Sequence, residues 1–314
     1  MRNRFAEILY QEACEDPRIH IVVADISPAG PMAEFRNEFP ERFINVGVAE
    51  QSMIGICAGL ALKGMRPFAY TIATFTLYRP FEMVRDDLCY QNLPVTIVGI
   101  GGGVIYSTLG ATHYAQEDIA IAGALPNMSI IAPCDPDEAE AATRYITARE
   151  SGGPVYLRFG KAGEPIITQD AAEPFQFGRI RHLWRGDDIA ILSYGVIMGM
   201  ALEVGRALRD QGHSVSLIAC PTLKPLDRDG IAGALGRHKK VIVIEEHVPQ
   251  GGLAAQTKQI AWETGAKCEL DTFTLKDEFI HCYGEHRDIL SRHGLSVEAI
   301  MTAIDSDNRS GATQ

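Results

Sequence analysis

Positive charge is scarce in this chain. Across 314 residues, 29 Lys and Arg stand against 40 Asp and Glu, a net charge of −11. That global field argues against a nucleic-acid or anionic-membrane partner, while a local basic pocket for a small anion stays compatible with it. Cysteine motifs are missing too. The seven cysteines, at 14, 57, 89, 134, 220, 268 and 282, form no CxxC and have no zinc-ligand spacing. Their count is odd, and Cys57 and Cys89 lie in apolar stretches, so reduced, mostly buried thiols of a cytoplasmic protein are expected. No GxxxxGK(S/T), GxSxG or HExxH occurs, which leaves the P-loop, nucleophile-elbow and zinc-peptidase readings without support.

Membrane and export signals are lacking as well. The opening "MRNRFAEILYQEACED" has early acidic residues and no apolar core, so no signal peptide is expected. The uncharged stretch Gln91 to Gln116, counting His113 as neutral, contains "GIGGG" and many polar residues. It reads as a strand and a glycine loop, not as a membrane span. There is no short-period repeat.

What is present is an ordinary globular composition, 46% apolar and 22% charged, long enough for two domains. Strand and helix patterns alternate. "IHIVVADI", "NVGV", "RPFAYTIAT", "PVTIVGIG", "MSIIAPC" and "GPVYLRFG" read as strands, and helical stretches separate them. At the head of "DPDEAEAATRYITARES", Asp135 can cap a helix N-terminus and Pro136 suits its first position. A second set follows in "DIAILSYG", "SVSLIAC" and "KKVIVIEEH". The alternation predicts two doubly wound α/β domains, 1–165 and 184–308, joined by a linker at 166–183 and ending in a disordered tail at 309–314.

Three features stand out at the ends of strands, where open α/β sheets bind ligands. Glu50 opens an apolar run with no further charge until Lys63. A carboxylate there needs a partner or a task, since burial penalises its charge; favourable interaction with the helix dipole is the plain alternative. "TFTLYRPF" places Phe75, Tyr78 and Phe81 at spacings of three, one wall of a flat-ligand pocket if helical, core packing otherwise. "GATHYAQED" sets His113 beside a glycine loop. The stretch "GIGGGVIYSTLG" lacks the full dinucleotide fingerprint and reads as a turn of close backbone approach.

The succession "RFINVGVAEQ", "TFTLYRPFEMVRDDL", "LGATHYAQEDIAIAGALPNMSIIAPCDPDEA" and "GPVYLRFG" resembles the thiamine-diphosphate transketolase family, more narrowly its C-terminal half encoded as a separate subunit. The resemblance runs from residue 2 to about 300, and "DIAILSYG", "LKPLD" and "VIVIEEH…GGL" resemble that family's C-terminal domain. It implies a first domain that binds the cofactor's pyrimidine and a transferase moving a two-carbon ketol unit to an aldehyde or ketone acceptor. Glu50 becomes the carboxyl that hydrogen-bonds ring N1′ and favours the imino tautomer. Phe75, Tyr78 and Phe81 surround the aminopyrimidine, and Asp25 and Ile26 join them as cofactor contacts. His113 faces substrate. Arg158, and Arg2 at the terminus, match arginines that bind the substrate's distal phosphate or polar end.

The family's GDG metal motif is absent. No metal ligand is therefore assigned here, and Mg²⁺ ligands are expected from a diphosphate-binding partner subunit in an α2β2 assembly. The family pattern also has Asp three residues before the TH pair and His eight before that. Here Leu109 and Gly101 stand at those places, and Ala29 stands where a serine is expected. These departures imply an unusual sugar in place of simple sugar phosphates. Rival readings are a deoxyxylulose-phosphate synthase-like or 2-oxoacid dehydrogenase beta-like subunit and, in another class, a non-catalytic subunit that stabilises a partner.

Overall fold

The computed structural model describes residues 1–26, 30–169, 171 and 173–311, with side chains through 306. Ala29 lies outside the described residues. Two mixed α/β sheets form the molecule. The first contains β1 (Ile19–Val23), β2 (Phe43–Asn45), β3 (Arg66–Ile72), β4 (Thr96–Ile100), β5 (Ser129–Ile131) and β6 (Val155–Phe159). The second contains β7 (Arg181–Trp184), β8 (Ile189–Ser193), β9 (Val215–Ala219), β11 (Lys240–Ile244) and β12 (Glu269–Phe273). The short β10 (Thr222–Lys224) follows β9 in the chain but crosses to the first sheet.

The first sheet runs β10-β5-β6-β4-β3-β1-β2, all parallel except β10 against β5. Every residue of β4 and β6 is buried, as strands covered on both faces must be, which is why they are nearly continuous apolar runs. The second sheet runs β12-β11-β8-β9-β7, with only β7 antiparallel.

Three expectations need adjusting. "NVGV" is not a strand: β2 ends at Asn45, because Gly47 takes a φ of 71° and Val48 turns outward, 70% exposed, as the chain enters helix Glu50–Leu62. The expected linker ends inside β7 and is pinned along its course. Asp135, fully buried, accepts from Glu138 N as a helix cap and with its other oxygen from the backbone N–H groups of Ile167 and Thr168 at 2.9 and 2.8 Å. The last helix, Val297–Gly311, extends into the stretch expected as a tail, of which 312–314 lie outside the described residues.

One of the apolar clusters is shared by the two units. It joins Met53, Ile54, Val84, Leu88 and Tyr156 of the first with Leu192, Ile218, Leu235 and Val243 of the second. Together with the crossing of β10, this makes the halves one packed body rather than beads on a linker. Among the described residues no helix is long and apolar enough to cross a membrane.

Candidate active site

Glu50 is the first residue of helix Glu50–Leu62 and is only 2% exposed. It is not alone. Arg79 Nη1 donates to its Oε2 at 2.6 Å, while Oε1 has no protein partner among the described residues. The helix N-terminus adds a favourable field for the carboxylate. The turn that delivers Glu50 is set by Asn45, whose Oδ1 accepts from the backbone N–H groups of Gly47 at 3.0 Å and Asp25 at 3.2 Å.

Arg79 leads on to the aromatic stretch. Its guanidinium lies 5.2 Å from the centre of the Phe75 ring, and that ring meets His113 edge-on at 5.3 Å. Phe75 sits in the short helix Ala73–Leu77, which breaks before Pro80; helix Phe81–Met83 then passes into π-helical turns over Val84–Tyr90. The three aromatics therefore do not share one continuous helical face. Tyr78 and Phe81 pack against the common core. The buried Tyr78 hydroxyl meets no hydrogen-bond partner at normal geometry, although Glu117 lies beside it. Burial pushes both the Tyr78 phenol and the Glu117 carboxyl up.

His113 is carried by a loop that leaves β4 and is closed by a two-way backbone bridge between Gly103 and Ala115, at 2.9 and 2.8 Å. Its Nδ1 lies 3.0 Å from Thr112 Oγ1. Inside the loop Tyr106 packs 6.3 Å from the His113 ring. Tyr106 also explains Gly101. That residue has a φ of 78°, and a Cβ on it would lie 2.2 Å from the Tyr106 ring. A side chain there has neither backbone freedom nor room. Gly101→Ala is accordingly expected to cost about 1–3 kcal/mol of stability by overpacking, read as a lower urea midpoint. The cost should shrink in a Tyr106→Val background, and an unchanged midpoint would refute the account.

The other expected residues spread out. Leu109 is exposed on the same loop, and the adjoining Gly110 is covered by Tyr283 of the second unit. Asp25 is exposed with a φ of 47°, and Ile26 packs on the core of the first sheet, both at the carboxyl end of β1. Arg2 donates through Nε to the Tyr70 hydroxyl at 2.8 Å, and its charge also acts on Tyr106. Arg158 is 5% exposed and engaged internally: Nε donates to Asp118 Oδ2 at 2.7 Å and Nη2 to the Glu246 carbonyl at 3.1 Å. Through these two contacts it bridges the two sheets.

Contacts thus run without a gap from Glu50 through Arg79, Phe75 and His113 to Tyr106. Beyond it Lys161 Nζ lies 5.5 Å from the Tyr106 ring centre. Arg79, Tyr106 and Lys161 were not among the sequence candidates. Arg79 was within sight, inside the aromatic stretch already singled out.

A buried carboxylate, an aromatic ring and a histidine lie in one row beyond the carboxyl ends of parallel strands, where α/β sheets take ligands. The chain belongs to the transketolase family. Residues 1–163 match the transketolase pyrimidine-binding domain and residues 178–300 the transketolase C-terminal domain. It is 31% identical to one of the subunits of the apulose-4-phosphate transketolase of Phocaeicola vulgatus, over 95% of this chain and 94% of that one. It is 34% identical to a putative transketolase C-terminal section of Methanocaldococcus jannaschii, over 97% and 95%. Among solved structures it resembles a split-gene transketolase, described as an inactive beta4 tetramer, with a TM-score of 0.85, 31% identity and 97% coverage of both chains. Membership implies dependence on thiamine diphosphate. The residues fit the pyrimidine half of that cofactor: Glu50 Oε1 is an uncommitted acceptor in a buried setting, and the Phe75 ring lies next along the row under the Arg79 guanidinium.

Proposed function

We propose that this chain is the pyrimidine-binding subunit of a split transketolase-like transferase, moving a two-carbon ketol unit from a ketose to an aldehyde or ketone acceptor. The observation that carries the reading is Glu50, a buried carboxylate with one oxygen uncommitted at the head of the row leading to His113. When bound, thiamine diphosphate supplies the nucleophilic carbon and the electron sink for ketol transfer. Glu50 would hydrogen-bond the pyrimidine N1′ through its uncommitted Oε1 and favour the ring's imino form. Arg79 fixes the carboxylate's orientation. Phe75 would pack against the ring and, through its edge contact, orient His113, which would exchange a hydrogen bond with the substrate oxygen. Mg²⁺ ligands would come from the partner, since the sequence holds no GDG motif.

The relative's name supports a phosphorylated branched sugar as donor. A donor panel of apulose 4-phosphate, xylulose 5-phosphate, fructose 6-phosphate and a 2-oxoacid separates the readings: ketol transfer supports this one, carbon dioxide release from the 2-oxoacid favours the synthase-like or dehydrogenase-like rivals. Leu109 and Gly101 bring no polar group to the loop, which favours a less hydroxylated sugar.

Assembly is part of the proposal. Val48, Ile56 and Leu62 expose apolar side chains on and before helix Glu50–Leu62, surface that a two-fold partner would cover. The purified chain is expected to self-associate by light scattering and to show no turnover with thiamine diphosphate and Mg²⁺. Turnover is expected to appear when a GDG-bearing partner is added, giving α2β2. Activity of the chain by itself would overturn the split-site reading. The free thiols fit a cytoplasmic enzyme of carbohydrate metabolism.

A further inference from the structure

We infer that Glu246, which belongs to the second unit, is a positioning residue for the transfer step: its carboxylate fixes the foot of the loop that carries His113. The inference rests on the ketol-transferase reading. The stretch "VIVIEEH" ends β11 in two adjacent buried glutamates. They have different tasks. Glu245 is engaged inside its own unit, where it accepts from the backbone N–H groups of Leu253 and Ala254 at 2.8 and 2.9 Å and from the Tyr194 hydroxyl at 2.9 Å. Glu246 turns toward the first unit. Its Oε1 accepts at 2.7 Å from the backbone N–H of Val104, shortly after β4, and lies 2.9 Å from His286 Nε2.

Glu246 is held at both ends. Its backbone carbonyl accepts from Arg158 Nη2 at 3.1 Å. At the side-chain end, burial pulls the His286 imidazole down, but the Glu246 carboxylate outweighs it and leaves His286 raised. The carboxylate thus bonds a backbone N–H on one side and an imidazole whose protonation it favours on the other. The loop is pressed close against it. Gly103 has a φ of 73°, and a Cβ on it would lie 2.4 Å from Glu246 Oε1, so only glycine fits there.

Loop 103–115 grows from the first sheet but is seated in the second unit. Val104 and Tyr114, near its two ends, belong to the apolar cluster built around Ile191, Ile244 and Leu290. Tyr283, also of the second unit, covers the crown of the loop: a Cβ on Gly110 would lie 2.7 Å from the Tyr283 ring. His113 sits between Gly110 and Tyr114. A carboxylate at one foot and a ring at the crown therefore set where its imidazole stands against Phe75, 5.3 Å away. A group that must meet the reacting oxygen tolerates little misplacement.

The test has two arms. The first is hydrogen exchange, followed by mass spectrometry on the purified chain. Amides of loop 103–115 should exchange about tenfold faster in Glu246→Ala, the factor for one lost charge-assisted hydrogen bond, while helix Leu253–Thr264, held by Glu245, keeps its wild-type rate. Glu246→Gln retains an acceptor for Val104 N and should restore most of the protection. The second arm is turnover of the enzyme reconstituted with its partner. Glu246→Ala should lower kcat by about 10–100-fold and Tyr283→Ala by less. The KM for the ketose and the imino signal of the bound cofactor should stay near wild type, since the Glu50 end of the row is untouched. Tyr283 is 75% exposed, so its removal spares the core and tests the loop even where Glu246→Ala folds poorly. Loop exchange unchanged in both alanine variants, or faster exchange spread evenly over the chain, would overturn the assignment. So would a loss that falls on KM alone, or a Glu246→Gln enzyme as slow as Glu246→Ala. If the wild-type enzyme transfers no ketol unit to any acceptor, the function proposed above fails, and the exchange arm still decides whether Glu246 anchors the loop.

Discussion

Glu50→Gln is expected to lower turnover of the reconstituted enzyme by about 10²–10⁴-fold, the usual range for loss of a positioned acid–base group, while assembly and stability stay close to wild type. The reasons are local. Glutamine keeps the shape of the side chain and an oxygen for Arg79, so packing at the head of helix Glu50–Leu62 is preserved. It cannot share a proton with the pyrimidine N1′, so the loss should fall on kcat more than on KM. Arg79 is 42% exposed on its side chain, and water can solvate its charge when the carboxylate is gone. A companion variant separates orientation from proton sharing. Arg79→Met leaves the Glu50 carboxylate without its cation and should reduce turnover less than Glu50→Gln does. Circular dichroism of the bound cofactor reads the imino form directly and should lose that signal in Glu50→Gln. Normal turnover in that variant would remove Glu50 from the chemistry.

Glu50 could be read from sequence because it breaks a pattern: one charge at the start of an apolar run is visible without any knowledge of neighbours. Its partner Arg79 lies 29 residues away, and an ion pair across that distance leaves no periodic trace. Gly101 shows the same split. The glycine cluster announced a close approach, correctly, but the group that approaches, Tyr106, is an ordinary loop tyrosine. The alternation of strands and helices sufficed for two α/β units because buried parallel strands are continuous apolar runs. It could not show that β10 leaves its own unit for the other sheet. Three residues, Thr222–Lys224, are too few for a period, and their pairing with β5 is decided by tertiary packing. Arg158 was the case the sequence left undecided. An arginine inside "YLRFG" can face a ligand or a buried acid, and only the placement of Asp118 shows which contact is made.

That contact underlies the largest expected loss of stability. Asp118 is fully buried and accepts from Arg158 Nε at 2.7 Å and from the Tyr156 hydroxyl at 2.8 Å. Arg158 reaches onward to the Glu246 carbonyl at the end of β11, so the pair ties β6 of one sheet to the other. Asp118→Ala strands a buried guanidinium and a buried phenol at once. The expected cost is about 3–5 kcal/mol, the range for breaking one partner out of a buried ion pair. Tyr156→Phe, which removes one hydroxyl and leaves the ion pair, should cost only about 0.5–1.5 kcal/mol. The double change Asp118→Leu with Arg158→Met removes both charges and fills similar volume, and should recover a substantial part of the loss, because the penalty lies in the uncompensated charge and not in the absence of the bond. Urea unfolding of the purified chain, followed by fluorescence, gives all three numbers. If Asp118→Ala shifted stability by less than about 1 kcal/mol, water would have to reach Arg158 in the folded state. The seam would then be open where the structure packs it shut, and Arg158 would return as a group able to meet a substrate anion.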